Sequence, residues 1–570
     1  MAIKFLESES WSLEDILTMG SSSGGKKKYV NYRNRQRAQM SFFIVVIFFA
    51  IFGIIVFAEI FLIDERGKGA GVLVRHGSLV YHSRQQEINE YEESLSNDDY
   101  ISIRLGSDLG SLDNGIGALL LGRNPMPLPV GEDAEPQSSK DVLDNVLSFY
   151  PTHLPPSRGN WQKVNGTRYK FFVFSAFYDR RRLQRSVRII AATKTRGPDK
   201  VLCKFWYKSM DDNPANFTSK WVQAKIRVIR ENWNLKYSAC FVMCPLLQNQ
   251  TVPQYVSVVT KKNSIPTNLL EITNQFNGTR SSKKFAICVK PLHFNYNRAL
   301  QILEFIELNR ILGIEHFTFY NHTIGPQVDC LLKEYIKQGL VTLLPWQLDM
   351  ISQKEIRTEG LFAALNDCLY RSMYRYSHVL LIDLDEFIVP RNNDTLPQLI
   401  DFLNRRMNTR TTGSYSFQNA FFYLQWSDDD SVYNSNDPVS SNLVTLKKTR
   451  RRSKLHPHKQ RSKYICRPEL VVEAGNHFVW EFLPGHGTLN VPADAAILHH
   501  YRVCEFGGDD CIKTPSTVDT TAFKYRERLV GRVAGNWEKN RKKCELEDPP
   551  LPPSRVFSKI INMLKSGEQR

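Results

Sequence analysis

The sequence predicts an α/β domain built on a mostly parallel sheet, preceded by a β-rich lobe and a single N-terminal transmembrane helix. Three observations carry this. Strand-like and helix-like apolar patterns alternate from about residue 285, aromatic and β-branched runs crowd residues 169–244, and residues 40–58 carry no charge. A chain of 570 residues exceeds one ordinary core, so two or more lobes are expected.

Residues 40–58 read MSFFIVVIFFAIFGIIVFA, and the apolar run resumes past Glu59 at Ile60–Ile63. A bilayer core takes about 20 apolar residues as a helix, so this segment is long enough to span. It is too long, and starts too late, for a cleaved signal peptide. Lys26, Lys27, Lys28, Arg33, Arg35 and Arg37 precede it, whereas Asp64, Glu65, Arg66 and Lys68 behind it nearly cancel. Lys and Arg stay cytosolic. The expected layout is a cytosolic tail at 1–39, a signal anchor at 40–63 and a lumenal remainder.

Two features agree with a lumen. All ten cysteines lie beyond the anchor, an even number on the side where disulfides form. Their spacing does not give the pairing. Six N-glycosylation sequons also fall only there, at Asn165, Asn216, Asn249, Asn277, Asn321 and Asn393.

The net charge of +17 suits acidic partners: nucleic acid, anionic lipid, diphosphates or anionic glycans. Residues 447–463, KKTRRRSKLHPHKQRSK, hold nine Lys and Arg. On a cytosolic chain they would suit nucleic acid; a lumen excludes that partner. A solvated basic loop is expected, with a wall for a diphosphate or an anionic acceptor as the functional alternative.

Residues 64–140 are polar and rich in Gly, Asn, Asp, Glu and Pro, and read as a flexible stem. Residues 141–280 read as the β-rich lobe, with strands expected at Tyr169–Tyr178, Val187–Thr193, Val201–Tyr207 and Tyr237–Cys244. From 281 to 545 the texture is α/β, and a tail follows at 546–570. Strands are expected at Phe285–Val289, His316–Tyr320, Leu340–Leu344 and Val379–Ile382. Between and after them, four sets of apolar residues recur at i, i+3, i+4, i+7, the spacing of one helical face. The sets are Ala299/Ile302/Leu303/Ile306, Val328/Leu331/Leu332/Tyr335, Leu361/Ala364/Leu365/Cys368 and Leu396/Leu399/Ile400/Leu403, the last with Thr395 as N-cap. Such alternation predicts right-handed crossovers and ligands beyond the carboxyl ends of the strands.

Asp383 and Asp385 stand where the fourth strand ends, in LLIDLDEFIVP. Asp-x-Asp is weak alone; a pair of loop aspartates capping a turn is the bland alternative. Following a buried strand in an α/β array, it is stronger. Alternation on an extended backbone puts both carboxylates on one side, with Leu384 turned away. The pair repels unless a cation lies between, and oxygen donors suit Mn²⁺ or, less well, Mg²⁺. A third ligand is expected from AAILHHYR (495–502). Adjacent side chains alternate in direction, so one histidine faces the metal: His500 is favoured and His499 is the alternative. His477 and His486 are weaker candidates.

The segments FAICVKPL (285–292), LEFIELNRILGIEHFTFYNH (303–322), FAALNDCLYR (362–371), HVLLIDLDEFIVP (378–390), KYICRPELV (463–471) and HHYR (499–502) together resemble glycosyltransferase family 92. The resemblance implies a GT-A fold, a Mn²⁺-dependent inverting mechanism and, most often, UDP-galactose as donor with a glycan acceptor in the Golgi lumen. It makes Asp383 and Asp385 the metal pair, matches Asn366, Asp367 and Cys368 to a short helix motif, and matches Arg467 and Pro468 to a later strand motif. Lys290, Arg467 and Arg502 are expected to join Asp383 and Asp385 in donor binding. Inversion requires a carboxylate on the acceptor side; the candidates are Glu473, Asp428 and Asp509. A catalytically inactive carbohydrate-binding membrane glycoprotein on the same scaffold, or a transferase for another UDP-sugar, are the alternative readings.

Overall fold

The computed structural model describes residues 150–208, 217–247, 250–275, 284–428, 437–504 and 511–550. The expected tail, anchor and stem lie outside these residues, as do Asn216, Asn249, Asn277, Asp509 and most of the C-terminal tail. Among the described residues no helix is long and apolar enough to cross a membrane.

The β-rich lobe is a nine-stranded sheet over residues 162–273. Its pairings are antiparallel apart from Phe172–Asp179 with Leu270–Thr273. A register shift between Val173 and Ser175 inserts an extra residue in the Phe172–Asp179 strand. Such a bulge changes which side chains share a face. Phe174 and Phe177 therefore both face out toward the second lobe, while Val173, Ala176 and Tyr178 enter the lobe's own core. The pair Cys203–Cys244 joins two strands of this lobe.

The second lobe starts with β1 (Phe285–Cys288), α1 (Ala299–Ile311), β2 (His316–Asn321), α2 (Pro326–Lys337), β3 (Val341–Pro345), α3 (Leu361–Ser372) and β4 (His378–Leu381). It continues with β5 (Glu386–Pro390), α4 (Leu396–Arg406), β6 (Thr412–Phe417), β7 (Asn419–Tyr423), β8 (Lys463–Cys466), β9 (Gly487–Asn490), β10 (Ala496–Arg502) and α5 (Arg526–Asn540). Seven strands form one sheet in the order β3-β2-β1-β4-β8-β6-β9. β8 alone runs against the others, so the sheet is mixed and mostly parallel. A smaller sheet, β5-β10-β7, lies beside it in sequence after the Asp pair.

All four expected helical faces are buried. Thr395 caps α4, and Gln398 returns the bond to complete a capping box. Gly313 ends the turn after α1 with φ of +96°, and a Cβ there would meet Pro397 at 3.0 Å. α1 is buried nearly all round rather than on one stripe, because α5 and the 444–447 segment cover its polar side. Glu304 accepts from the backbone of Val444 and Thr445, and Glu307 from Tyr335 and Asn536.

The two faces of the sheet meet different partners. Ile287 and Leu380 pack with α1, α2 and α4. Cys288, Val379 and Leu381 pack with α3 and, through it, with Phe174, Ile190 and Phe241 of the β-rich lobe. The cysteines pair as Cys203–Cys244, Cys288–Cys368, Cys330–Cys544 and Cys504–Cys511, while Cys240 and Cys466 are free thiols in the cores.

The basic segment is not a solvated loop. Lys448 is buried against Asp428 and the Trp426 carbonyl, Arg451 pairs with Asp519 at 2.8 Å, and residues 450–452 form a strand with 516–518. Carboxylates supplied from elsewhere in the chain pair with Lys447, Lys448, Arg451 and Lys463, which the local composition does not reveal.

Candidate active site at the carboxyl end of β4

β4 ends at Leu381, and a tight turn follows in which Glu386 N–H donates to the Asp383 carbonyl at 3.1 Å. The Asp383 N–H in turn donates to the Glu386 carboxylate at 2.9 Å. Asp383 and Asp385 are thus gathered by a turn, not by alternation along an extended strand. The reason is local: Glu386 closes the chain on itself before β5 begins.

Two lysines converge on one oxygen of Asp383. Lys290, just past β1, lies 2.7 Å from Oδ2, and Lys463, the first residue of β8, lies 3.3 Å from the same atom. Lys463 is 2% exposed and also reaches Asn476 at 2.8 Å and Glu386 at 3.5 Å. Burial works against charge on Asp383, but the Lys290 and Lys463 ammoniums outweigh it and hold its carboxyl below the usual range. For Lys463, burial likewise opposes charge, and Asp383 and Glu386 more than restore it. Burial pushes the Glu386 carboxyl up.

β10 settles which histidine faces this turn. It runs antiparallel to β5, with Glu386 opposite His500 and Phe387 opposite His499. His500 Nε2 lies 3.3 Å from Asp385 Oδ2, and its Nδ1 lies 3.3 Å from Glu386 and 3.1 Å from the Asn419 side chain. Beside Asp385, burial raises the carboxyl and the His500 imidazole lowers it further than burial raises it. His499 points the other way, fully buried and stacked on Phe422 at 4.6 Å between ring centres. Burial lowers its pKa to about 4.

A cavity of about 480 Å³ opens over these groups, and Lys290, Asp383, Asp385, His500 and Arg502 line it. Glu231 and Trp233 of the β-rich lobe also line it. His477 also lines it, but its ring bonds to the Ser462 carbonyl and the Asn476 amide, and burial lowers its pKa to about 3.

Several expected residues lie elsewhere. Arg467 follows β8, whose antiparallel course puts it beyond the register pair Cys466–Val379, near the start of β4 rather than its carboxyl end. Glu473 is fully buried between lobes, 2.9 Å from Arg227, and accepts the Arg230 N–H at 2.8 Å. It carries a structural ion pair and is not available as a base. Asp428 is held 2.6 Å from Lys448 and does not line the cavity. His486 does not line it either. The Asn366-Asp367-Cys368 motif is a cross-link. Asn366 exchanges bonds with Ala474, Asp367 accepts from Ser175, Tyr320 and Arg371, and Cys368 is bonded to Cys288.

Lys463, Glu386 and Glu231 were not singled out by sequence. Lys463 looked like the end of a basic run, and Glu386 like the continuation of an apolar strand. The signal for both is that they lie inside the quoted motifs, at Lys463 of KYICRPELV and Glu386 of HVLLIDLDEFIVP.

Two carboxylates and an imidazole nitrogen around one cavity are donors that suit Mn²⁺ or Mg²⁺. Glu386 at Nδ1 leaves Nε2 as the ring nitrogen facing Asp385, the placement of a second-sphere carboxylate behind a histidine ligand. Among the described residues no three His, Cys, Asp or Glu side chains already stand at metal-holding spacing. The donor types therefore fit a divalent ion.

Residues 283–545 match glycosyltransferase family 92. The β-1,4-galactosyltransferase galt-1 of Caenorhabditis elegans is 26% identical over 222 residues, covering 38% of this chain and 48% of that protein. The glycosyltransferase family 92 protein F13G3.3 of Caenorhabditis elegans is 24% identical over 147 residues, covering 24% and 29%. The chain thus spans about half or less of the length of these relatives. Among solved structures, glucosyl-3-phosphoglycerate synthase from Mycobacterium tuberculosis, in complex with Mn²⁺, UDP and glucosyl-3-phosphoglycerate, is 13% identical over 44% of this chain and 80% of that one, with a TM-score of 0.21. S. aureus TarS 1–349 in complex with UDP-GlcNAc is 13% identical over 44% and 66%, with a TM-score of 0.22. Residues 283–545, which hold the described lining of the cavity apart from Glu231 and Trp233, belong to glycosyltransferase family 92.

Proposed function

We propose that this chain is an inverting, metal-dependent glycosyltransferase of GT-A type that moves galactose from UDP-galactose to a glycan acceptor. We place it in the Golgi membrane as a single-pass type II protein with its catalytic part in the lumen. The observation that carries the reading is the convergence of Asp383, Asp385 and His500 on one cavity, with Lys290 and Lys463 beside them. Family 92 membership and a relative named as a β-1,4-galactosyltransferase support transfer of a sugar and, more finely, of galactose.

In this reading Asp383, Asp385 and His500 hold the metal, with Mn²⁺ preferred over Mg²⁺. When bound, that ion supplies Lewis-acid neutralisation of the charge that builds on the departing diphosphate. Lys290 and Arg502 line the same cavity and Lys463 lies behind it on Asp383, and all three add positive charge. Glu386 fixes the His500 ring. The bond from the acceptor oxygen to the anomeric carbon forms as the carbon–phosphate oxygen bond breaks, and the acceptor proton passes to a carboxylate. Among the described residues, Glu231 is the carboxylate lining the cavity outside the Asp383–Glu386 turn, and we assign it as that base. Asn476 N–H and Trp480 Nε1 donate to its Oε2 at 2.9 and 3.0 Å and hold it in place.

The test is turnover of a UDP-sugar panel by the full-length chain, with and without Mn²⁺. Mn²⁺-dependent consumption of UDP-galactose above other donors is expected. Preference for a UDP-hexosamine would overturn the donor, and no turnover together with no nucleotide binding would favour the inactive carbohydrate-binding reading.

A further inference from the structure

The two lysines on Asp383 are not equivalent. Lys463 is 2% exposed and braced by Asp383, Glu386 and Asn476 together. Lys290 is 34% exposed at its side chain, and its ionic partner is Asp383. One ammonium is built into the wall; the other rests on the carboxylate from the cavity side and is free to swing on its four-carbon stem.

Asp383 Oδ2 is therefore occupied by a cation where a metal ligand is required. Charge sets the consequence. Among the groups in mutual contact, Asp383, Asp385 and Glu386 against Lys290 and Lys463 leave one net negative charge, before the imidazole is counted. A divalent ion arriving alone would reverse that sign with Lys290 still in contact range of the same oxygen. Like charges a few ångströms apart in a half-buried site repel strongly, because little water screens them. An arriving diphosphate restores the balance and gives the Lys290 ammonium a new acceptor.

We infer that Lys290 is a placeholder cation: it sits on Asp383 until metal and diphosphate arrive together, and then moves from the carboxylate to a phosphate oxygen, so that it couples the two binding events. This rests on the metal-dependent reading above and adds a direction to it. Lys290 opposes metal binding in the absence of nucleotide and favours it in its presence. Coupling between two ligands is reciprocal, so it is readable from either one.

The experiment is Mn²⁺ titration of the full-length chain, followed by the electron paramagnetic resonance of free Mn²⁺, with and without uridine diphosphate as probe. In wild type, the nucleotide is expected to tighten Mn²⁺ binding at least ~10-fold, within the usual range of coupling. Lys290→Ala should bind Mn²⁺ alone several-fold more tightly than wild type, and the nucleotide should then tighten it by a smaller factor. Lys290→Arg keeps the charge and should keep most of the coupling, which separates a charge effect from damage to the fold. The inference is overturned if Lys290→Ala binds Mn²⁺ alone no better than wild type, or if its coupling is undiminished. A wild-type chain that binds no Mn²⁺ even with the nucleotide overturns the metal-dependent reading as well.

Discussion

The Glu386 carboxylate lies 3.3 Å from His500 Nδ1, across the imidazole ring from Asp385, which lies 3.3 Å from Nε2. Glu386 is 1% exposed, so little water competes for this contact. Its second oxygen accepts the Asp383 N–H. One side chain therefore orients two ligand candidates, Asp383 in the turn and His500 on β10.

Glu386→Gln keeps the shape and removes the charge. Outer partners of histidine ligands typically contribute 10–100-fold to metal affinity. A loss of ~10-fold or more in Mn²⁺ affinity, measured with uridine diphosphate present, is expected while thermal unfolding remains cooperative. Unchanged affinity would mean that Glu386 serves the fold alone.

Glu231→Gln separates the two halves of the reaction. The amide can still accept from Asn476 and Trp480 but cannot take a proton. Transfer to acceptor should fall by ~100-fold or more, within the range for a general base, while Mn²⁺ and nucleotide affinities stay close to wild type. A variant that transfers normally would return the base to the residues outside the described ones, Asp509 among them.

Stability should fall on the acid side of neutrality. His499, His477 and His456 are held neutral in the folded chain by burial, with pKa values lowered to about 4, 3 and 4. In the unfolded chain each titrates near 6.5. Their contribution is complete above about pH 6.5 and is lost as pH falls toward 4, because the unfolded state then binds protons that the folded state refuses. Each adds a slope of up to about 1.4 kcal/mol per pH unit. His499→Phe, whose ring suits the Phe422 stack, should flatten the urea-denaturation slope between pH 6.5 and 4 by about one proton. An unchanged slope would contradict the assignment of His499 as a buried neutral ring.

Much of this architecture was legible because it is local. The four helices follow from apolar spacing alone, and Thr395 and Gln398 write the start of α4 into four residues. The Asp383 and Asp385 pair was legible because a continuous apolar strand leads straight into it. What escaped depends on strand direction and register. Nothing in KYICRPELV shows that β8 runs against β4, yet that direction brings Lys463 to the site and takes Arg467 away from it. The choice between His499 and His500 needed the pairing of Glu386 with His500. The cross-lobe ion pair of Glu473 with Arg227 spans 246 residues, beyond any local pattern.

The most direct test of the central claim is Mn²⁺-dependent turnover of UDP-galactose by the full-length chain, wild type against Asp385→Ala. Asp385 is one-third exposed at the cavity, so its removal should spare folding. The account predicts Mn²⁺-dependent turnover in wild type and a loss of at least ~1,000-fold in the variant, the several kcal/mol that metal-assisted charge stabilisation supplies. Equal turnover by the two proteins at the same Mn²⁺ concentration would contradict the assignment of this site as the metal-binding catalytic centre.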